Sequence, residues 1–391
     1  MQISYTPEQE QLQHRLREYF AGLMTPERRA SLAREGGGDY GDGGAYKELV
    51  RRLGRDGWLA LGWPAEYGGQ NGSMLDQLIF MDEASVAGVP VPFLTINTVG
   101  PTIMRFGTPE QKERFLPAIA AGDLHFSIGY SEPGAGTDLA SLRTRAVRDG
   151  DMYVISGQKM WTSLIQYADF VWLACRTDPQ AVRHKGLSII IVPTDAAGFS
   201  WTPVRTVAGL TTSATYYADV RVPVSMRVGA ENQGWRLVTT QLNHERVMLG
   251  PAGRLGALHD RVSAWASACP GRDGQPLSGQ PDVRRALAEV GASLRVNELL
   301  NWQVAVADTV EIADASATKV FSSEWIQRLG QLLIDVVGRH GDPADELTAD
   351  LMSCLDAQHK RNLVLTFGGG VNEVQRELIA MAGLGLPRVP R

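Results

Sequence analysis

The sequence predicts an α+β protein in which two helical regions enclose a central β-domain. Residues 1–122 carry helical periodicity, with helix starts marked by N-cap residues such as Thr108. Residues 123–229 change to short β-branched and aromatic runs separated by turn residues, for example at 149–151. The helical period returns in residues 230–391. Because strands and helices do not alternate, a doubly wound nucleotide-binding sheet is not expected.

The central region contains four runs with the composition of strands. They are residues 152–155, 170–175, 187–192 and 214–222. The last helical segment is expected to end at Gly383, where a Gly-Leu-Gly-Leu-Pro sequence begins.

Composition indicates an ordinary globular protein and argues against two classes of partner. The chain has 391 residues, 44% hydrophobic and 21% charged, which is enough for more than one core. A formal net charge of -5 argues against a nucleic-acid or anionic-membrane surface, because phosphate backbones require dense Lys and Arg. The N-terminal sequence lacks signal-peptide features and no apolar run approaches the ~18 residues of a spanning helix, so a cytoplasmic protein is expected. Cys175, Cys269 and Cys354 are far apart and odd in number, which supports neither disulfides nor a metal site.

A glutamate stands where a helix should carry an apolar side chain. On the helix that begins near Trp235, apolar residues recur at Val238, Leu242 and Leu249, and Glu245 falls on the same stripe. Burial raises the pKa of a carboxyl, and glutamates tuned in this way often act as general bases. The alternative is an inward glutamate paired with an arginine of a neighbouring helix.

Two short motifs in the β-domain have the composition of ligand-binding segments. Residues 130–138 combine glycines, a proline and hydroxyl groups, so that backbone N–H groups can approach a flat or phosphorylated ligand closely. A tight surface loop would have the same composition. Residues 157–163 end a strand with Trp161 beside two hydroxyl groups, which can stack on a ring system and bond to its polar edge. Core packing is the alternative for this tryptophan, since aromatic residues are common in strands.

Together these segments resemble the acyl-CoA dehydrogenase family over essentially the whole chain. Four stretches occur in the family's order and approximate spacing: residues 62–69, 131–138, 158–163 and 368–376. The resemblance implies an N-terminal helical domain, a middle β-domain and a C-terminal four-helix bundle, with FAD between the last two. The residues that it assigns to the cofactor lie in the two motifs and are Tyr130, Ser131, Gly136, Thr137, Trp161 and Ser163.

The family's reaction is α,β-dehydrogenation, in which a base removes the α-proton of an acyl-CoA thioester while the β-hydride passes to the flavin. Many straight-chain enzymes carry the base near the C-terminus, at the position matching Gly369, which has no side chain. The isovaleryl type carries it on the bundle helix, in a segment similar to Asn-His-Glu-Arg here, so the resemblance identifies Glu245 as the base. Asn243 and Arg246 would then help to hold the thioester-pantetheine arm. His244 has a more favourable ordinary pKa but faces away from the apolar stripe, so it is expected at the surface.

Two elements that most homotetrameric relatives extend to the FAD of a neighbouring subunit are not intact here. Residues 269–276 replace an Arg-x-x-Phe-Gly element, and residues 335–340 replace a Gln-x-x-Gly-Gly element. Asp335 puts a carboxylate where an amide is expected, and Arg339 puts a bulky side chain where close approach is needed. We therefore expect a distinct homologous subunit, in an α2β2 assembly, to complete the flavin site.

This division of labour resembles the heterotetrameric acyl-CoA dehydrogenases of actinobacterial steroid catabolism, in particular the base-bearing subunit of enzymes that act on the cholesterol side chain. Residues 94–97, 126–130 and 161–167 carry the resemblance, and so do residues 209–216, which it implies to be a loop on the substrate side. It implies a steroid-CoA thioester as substrate and an electron-transfer flavoprotein as acceptor. The alternatives are an acyl-CoA oxidase and a non-catalytic subunit of a heteromeric dehydrogenase.

Overall fold

The computed structural model describes residues 4–34, 43–209, 211–248, 252–271, 274–307 and 309–388. In the helix that ends at Met248, side chains are described only as far as Gln241. The chain divides into two compact units: one comprises residues 1–24, 78–89 and 246–391, and the other comprises residues 25–77 and 90–245. The domain limits expected after residues 122 and 229 stay predictions.

Helices form in the first third of the chain, as predicted. Two of them begin with reciprocal capping boxes. The Thr6 hydroxyl accepts from the N–H of Gln9 while the Gln9 side chain accepts from the N–H of Thr6, and Thr108 and Gln111 repeat the pattern. The helices are α1 (Pro7–Leu23), α2 (Pro26–Arg34), α3 (Gly44–Arg55), α4 (Met74–Ala87), α5 (Gly100–Phe106) and α6 (Pro109–Ala120).

The central region forms one sheet, of eight strands within the described residues. The strands are β1 (Phe126–Gly129), β2 (Arg145–Asp149), β3 (Met152–Lys159), β4 (Phe170–Arg176), β5 (Leu187–Pro193), β6 (Phe199–Arg205), β7 (Thr211–Pro223) and β8 (Arg227–Val228). Their order is β6-β7-β3-β2-β4-β5-β8, and β1 pairs in parallel with β4. The four predicted strands are confirmed as β3, β4, β5 and β7. The others escape prediction because β1 and β8 are very short and β2 and β6 are mostly exposed.

The turn predicted at residues 149–151 closes the hairpin between β2 and β3, in which Asp149 pairs with Met152. Gly150 has a φ of +63°, which glycine adopts without steric cost. The loop expected at residues 209–216 is wrong for most of its length, because β7 begins at Thr211 and pairs with β6. Threonine and tyrosine favour strands, which explains the difference. Leu210 of that stretch lies outside the described residues.

The middle of the sheet supplies a rigid support for the candidate site. Trp172 on β4 and Ile190 on β5 are both 0% exposed. Continuous burial along these strands means that both faces of the sheet are covered there. The end of β1 leads directly to Tyr130, and the end of β3 leads to Trp161. The two motifs therefore begin at fixed strand ends.

The last part of the chain is helical, as predicted. Its helices are α7 (Gly234–Met248), α8 (Gly253–Ala268), α9 (Pro281–Ala305), α10 (Ile312–His340), α11 (Glu346–Asn362) and α12 (Asn372–Leu378). Residues of α8 to α11 share one apolar core that includes Val262, Val290, Leu333 and Leu355. The final helical turn ends at Gly383, where the sequence predicts a stop. None of the described helices combines the length and apolarity needed to cross a membrane.

Candidate active site

A buried ion pair anchors the first motif to the end of β3. The Lys159 ammonium donates to Glu132 Oε1 at 2.9 Å and to the carbonyl oxygen of Tyr130 at 2.9 Å. Glu132 also accepts from the N–H groups of Arg143 at 2.7 Å and Thr144 at 2.8 Å. Burial opposes ionisation of Glu132, but Lys159 and the Thr144 N–H outweigh it and hold the pKa of this carboxyl below its ordinary value. The backbone of the motif is thereby fixed.

The rest of the first motif is open beside this anchor. Glu132 and Ala135 exchange backbone hydrogen bonds of 2.9 and 3.1 Å, which close a tight turn. Ser131 is half-buried, whereas Gly136 and Thr137 are exposed, and a Cβ added at Gly136 would meet no atom within 4 Å. Such free space beside backbone and hydroxyl groups suits a ligand. The tight-loop alternative accounts for the turn but not for the buried ion pair that holds it.

The second motif leaves β3 through a strained turn that exposes Trp161. Trp161 has a φ of +63° and Leu164 a φ of +66°. Residues with side chains rarely adopt this conformation, which costs about 1–3 kcal/mol at each position. The Trp161 side chain is 57% exposed, so the alternative of core packing is wrong. Strain that holds an aromatic ring in solvent is typical of ligand-binding segments.

The two motifs are in direct contact. The N–H of Met160 donates to the carbonyl oxygen of Ser131 at 2.8 Å. Ser163 is exposed, and its hydroxyl lies 3.2 Å from the hydroxyl of Thr212 on β7. The residues assigned to the cofactor by resemblance therefore come from two loops that the sheet holds side by side.

Tyr130 connects the first motif to the helix that carries Glu245. Its hydroxyl donates to Gln241 Oε1 at 2.6 Å. The indole N–H of Trp172 lies 3.1 Å from the Tyr130 hydroxyl oxygen and 3.2 Å from Gln241 Oε1. Gln241 is 2% exposed, and the sequence interpretation missed it. The available signal was a polar residue three positions after Val238 and four before Glu245 on the apolar face.

The side chains of Asn243, His244, Glu245 and Arg246 lie outside the described residues. The roles expected of them stay predictions. The structure does describe the backbone of α7 and the buried residues in its first two turns, which are Gly234, Leu237, Val238 and Gln241.

The alternative base position lies in a loop held by a buried lysine. Gly369 has a φ of +67° and Gly370 a φ of +99°, conformations that favour glycine. Lys319 is 3% exposed and donates to the carbonyl oxygen of Gly370 at 2.8 Å and to Asn372 Oδ1 at 2.6 Å. The loop is well defined, yet it offers no side chain at position 369 that could act as a base.

Asp335 and Arg339, which stand within the replaced Gln-x-x-Gly-Gly element, are exposed and make polar contacts with other helical residues. Asp335 Oδ1 accepts from Gln331 Nε2 at 2.9 Å. Arg339 Nη1 lies 3.5 Å from Asp282 Oδ2, and His340 Nε2 lies 2.9 Å from the same oxygen. A carboxylate and a guanidinium thus stand on the surface of α10. Residues 272 and 273, in the other replaced element, lie outside the described residues.

Sequence comparison places these features in a known class of enzyme. The chain matches three acyl-CoA dehydrogenase domains: the N-terminal domain at residues 6–123, the middle domain at 127–220 and the C-terminal domain at 232–384. The chain belongs to the acyl-CoA dehydrogenase family and is an enzyme. The predicted α+β class, with helical N-terminal, β middle and helical C-terminal regions, is confirmed.

The relatives that match over the full length of the chain include one that its own description calls a steroid ACAD. The acyl-CoA dehydrogenases FadE29 and FadE26 of Mycobacterium tuberculosis are 56% and 58% identical, over 100% of this chain and of each relative. A chain of the ChsE4-ChsE5 complex from Mycobacterium tuberculosis matches with 56% identity and a TM-score of 0.91, over 100% of both chains. A chain of the Tcur3481-Tcur3483 steroid ACAD matches with 49% identity and a TM-score of 0.90, also over 100% of both.

Proposed function

We propose that this enzyme catalyses FAD-dependent α,β-dehydrogenation of an acyl-CoA thioester, with Glu245 as the base that removes the α-proton. The observation that carries the proposal is the connection of three parts. The two motifs meet at Ser131 and Met160, and Tyr130 of the first motif bonds to α7 one turn before Glu245. Cofactor loops and base helix are therefore fixed to one another, which general base catalysis requires.

The residues of the two motifs fit a flavin. Trp161 offers an exposed aromatic face, Gly136 leaves room beside the backbone, and hydroxyl groups are present at Ser131, Thr137 and Ser163. When bound, FAD supplies the acceptor for the β-hydride, while the protein supplies orientation and electrostatics. Tyr130 contributes through its position, because its hydroxyl proton is donated to Gln241.

Helix periodicity supports Glu245 as the base. Buried residues on α7 recur at Leu237, Val238 and Gln241, and position 245 continues this series at spacings of seven and four from the last two. Burial without a compensating partner raises the pKa of a carboxyl, and general bases are often glutamates tuned in this way. Asn243 and Arg246, on the same helix, are proposed to hold the thioester-pantetheine arm.

We further propose a steroid-CoA thioester as substrate and a distinct homologous subunit as partner in an α2β2 assembly. Support comes from full-length relatives, one described as a steroid ACAD and one solved as a two-protein complex. Support also comes from Asp335 and Arg339. They place a charge and a bulky side chain where homotetrameric relatives have the Gln-x-x-Gly-Gly element that reaches a neighbour's flavin. Reduced flavin would pass its electrons to an electron-transfer flavoprotein.

A panel of CoA thioesters tests the reaction and the substrate. The chain, co-expressed with its homologous partner, is mixed without oxygen with straight-chain, branched and steroid side-chain thioesters, and loss of oxidised-flavin absorbance is followed. We expect the steroid thioesters to reduce the flavin fastest. Absence of reduction by every thioester would contradict the proposed activity, and preference for a straight chain would contradict the proposed substrate.

Two further arms test the partner and the acceptor. The chain purified alone is expected to retain much less FAD than the co-expressed complex, so full FAD content and turnover without a partner would rule out the shared site. Under air, we expect little hydrogen peroxide. Peroxide formation that matches thioester consumption would identify an oxidase instead.

A further inference from the structure

Two neighbouring loops of the middle domain concentrate positive charge that the proposed reaction does not yet use. These basic loops, residues 138–145 and 176–185, contain four arginines and one lysine but only two aspartates, a net charge of +3 in a chain whose net charge is -5. Such a local excess attracts anionic groups even though the chain as a whole is acidic. The cations are Arg143, Arg145, Arg176, Arg183 and Lys185.

Arg176 fastens the two basic loops to one another. Its Nε donates to the carbonyl oxygen of Leu142 at 3.2 Å and its Nη2 to that of Ala140 at 2.9 Å, both in the first loop. Its Nη1 donates to the carbonyl oxygen of Arg183 at 2.9 Å, in the second loop. One guanidinium thus joins the backbone beside Arg143 to the backbone of Arg183, and the cations of both loops start from the same part of the surface.

The charge of this cluster is not neutralised within the described part of the chain. Arg176 is half-buried, yet its hydrogen-bond acceptors there are neutral carbonyl oxygens. Arg143, Arg183 and Lys185 are exposed and form no ion pair with a described carboxylate. A half-buried guanidinium without a carboxylate is unfavourable, and a bound anion removes that penalty. The cluster therefore suits an anionic ligand.

The basic loops border the proposed active site on two sides. The N–H of Arg143 donates to Glu132 Oε2 at 2.7 Å, so the first loop is joined to the motif that is proposed to bind FAD. The ring of His184, in the second loop, lies 5.7 Å from the ring of Trp235 in the first turn of α7. An anion held by these loops is therefore close to both the cofactor motif and the helix of the proposed base.

The proposed substrate and the proposed cofactor each bring phosphate groups to this site. The nucleotide end of CoA has a diphosphate and a 3′-phosphate, about four negative charges at neutral pH, whereas the diphosphate of FAD carries about two. Five cations match the larger charge better. Exposed side chains also suit a ligand that binds and leaves in every turnover more than a cofactor that stays bound. The charge and the exposure of the cluster therefore favour CoA.

We infer that Arg143, Arg183 and Lys185, arranged around Arg176, bind the phosphate groups of the 3′-phospho-ADP end of the CoA thioester. This inference rests on the proposed function, since it takes a CoA thioester as the substrate. A guanidinium can bond to two phosphate oxygens at once, and an ammonium adds a compact positive charge. Contacts with the nucleotide are remote from the reacting carbon atoms, so they lower the thioester concentration needed for half-saturation.

Thioesters of one acyl group on shortened carriers test this inference. The acyl group that reduces the flavin fastest is attached to CoA, to 3′-dephospho-CoA and to pantetheine, and anaerobic flavin reduction is followed in the co-expressed complex. We expect the CoA thioester to half-saturate wild type at a concentration at least about tenfold below that of the pantetheine thioester, with the dephospho thioester between them. Arg183→Gln/Lys185→Gln should lose most of this preference, because its binding of the CoA thioester weakens about tenfold. Arg143→Gln, in the other loop, should lose part of it.

The matched control is Arg148→Gln/Arg221→Gln, which removes two exposed charges at the opposite end of β2 and should keep the preference for CoA. Equal half-saturation of wild type by the CoA and pantetheine thioesters, or an unchanged preference in both Arg183→Gln/Lys185→Gln and Arg143→Gln, overturns the inference. Loss of FAD from these variants with the preference intact would assign the cluster to the diphosphate of FAD and overturn it too. If no thioester reduces the flavin of wild type, the proposed function itself fails.

Discussion

The ion pair between Lys159 and Glu132 is almost completely removed from water, with 0% and 8% of the two side chains exposed. Desolvating two charges costs several kcal/mol for each, so such a pair adds little net stability unless further hydrogen bonds complete it. Here the Glu132 carboxylate accepts from two backbone N–H groups and the Lys159 ammonium donates to the Tyr130 carbonyl oxygen. The pair therefore specifies the conformation of residues 130–138 more than it stabilises the whole protein.

Removal of one charge from this pair should be costly. Lys159→Met leaves Glu132 buried and unpaired, and we expect a loss of about 3–5 kcal/mol in the free energy of unfolding, with loss of bound FAD. The double variant with Glu132→Gln should recover much of that stability, because no buried charge remains. Lys360→Met, which removes a half-exposed i,i+4 partner of Asp356, is the control and should cost less than about 1 kcal/mol. Urea unfolding measures the unfolding free energy of all three variants. Equal losses for Lys159→Met and Lys360→Met would show that burial does not make the Lys159–Glu132 pair more costly to break.

Asp82 makes stability depend on pH. Burial, with the charges of Glu298 and Glu83, raises the pKa of its carboxyl to about 7, although the Gly253 N–H donates to Oδ1 at 3.1 Å. Between the ordinary value of 3.8 and about 7, the folded protein binds more protons at this site than the unfolded chain does. The stability contributed by the neutral carboxyl is present below the ordinary value and is lost as pH rises through this window.

Asp82→Asn should remove this dependence while keeping an oxygen for the Gly253 N–H. We expect the variant to gain on the order of 1–3 kcal/mol relative to wild type between pH 4 and pH 8, measured by urea unfolding across that range. Asp335→Asn, at an exposed position, should show no such trend. Parallel pH curves for Asp82→Asn and wild type would show that the carboxyl titrates normally.

At the scale of elements, the strained turn after β3 allows the proposed flavin contact to be tested separately from folding. Trp161 is 57% exposed, whereas Trp172 on β4 is 0% exposed. We expect Trp161→Ala to leave the free energy of unfolding of the cofactor-free protein within about 1 kcal/mol of wild type while weakening FAD binding. Trp172→Ala should cost about 3–5 kcal/mol by opening a cavity in the sheet core.

Fluorescence titration with FAD and urea unfolding measure the two effects independently. If Trp161→Ala binds FAD as tightly as wild type, the proposed contact with the flavin is wrong. If it unfolds as easily as Trp172→Ala, the exposed ring has a packing role that its surroundings do not indicate.

The elements could be predicted where burial leaves a hydrophobic run or a hydrophobic period in the sequence. β4 and β5 are buried along their length, and α7 shows its apolar face at Leu237 and Val238. Strands such as β6 escaped because an exposed edge leaves no hydrophobic pattern. The loop expected at residues 209–216 was wrong because β7 begins at Thr211, earlier than the run of strand-forming residues predicted from position 214.

Site residues could be predicted from the sequence only where the residue type is unusual for its position. Glu245 and the glycines of the first motif differ visibly from their neighbours. Gln241 also interrupts an apolar face, but its role depends on Tyr130 and Trp172, which lie 111 and 69 residues away in the chain. Spatial pairing of this kind leaves no periodic signal. The positive φ of Trp161 is likewise set by the strands on both sides of its turn.

At the scale of the whole molecule, the three family domains follow one another from residue 6 to residue 384. In the proposed assembly, however, the flavin site is complete only when a homologous subunit supplies the Gln-x-x-Gly-Gly element that this chain lacks at residues 335–340. On this proposal, FAD content and rates are properties of the co-expressed complex. The FAD content of the chain purified alone, compared with that of the complex, measures how much the partner contributes to FAD binding.

The role of Glu245 as the base is tested by the rate of anaerobic flavin reduction by a steroid-CoA thioester, compared between wild type and Glu245→Gln complexes. Glutamine keeps the size of the side chain but cannot accept the α-proton, so we expect intact FAD binding and a rate lower by several orders of magnitude. The His244→Gln complex, which lacks the imidazole next to the proposed base, should reduce its flavin at the wild-type rate. Near-normal reduction in Glu245→Gln, or a collapse confined to His244→Gln, would contradict the assignment of Glu245 as the base.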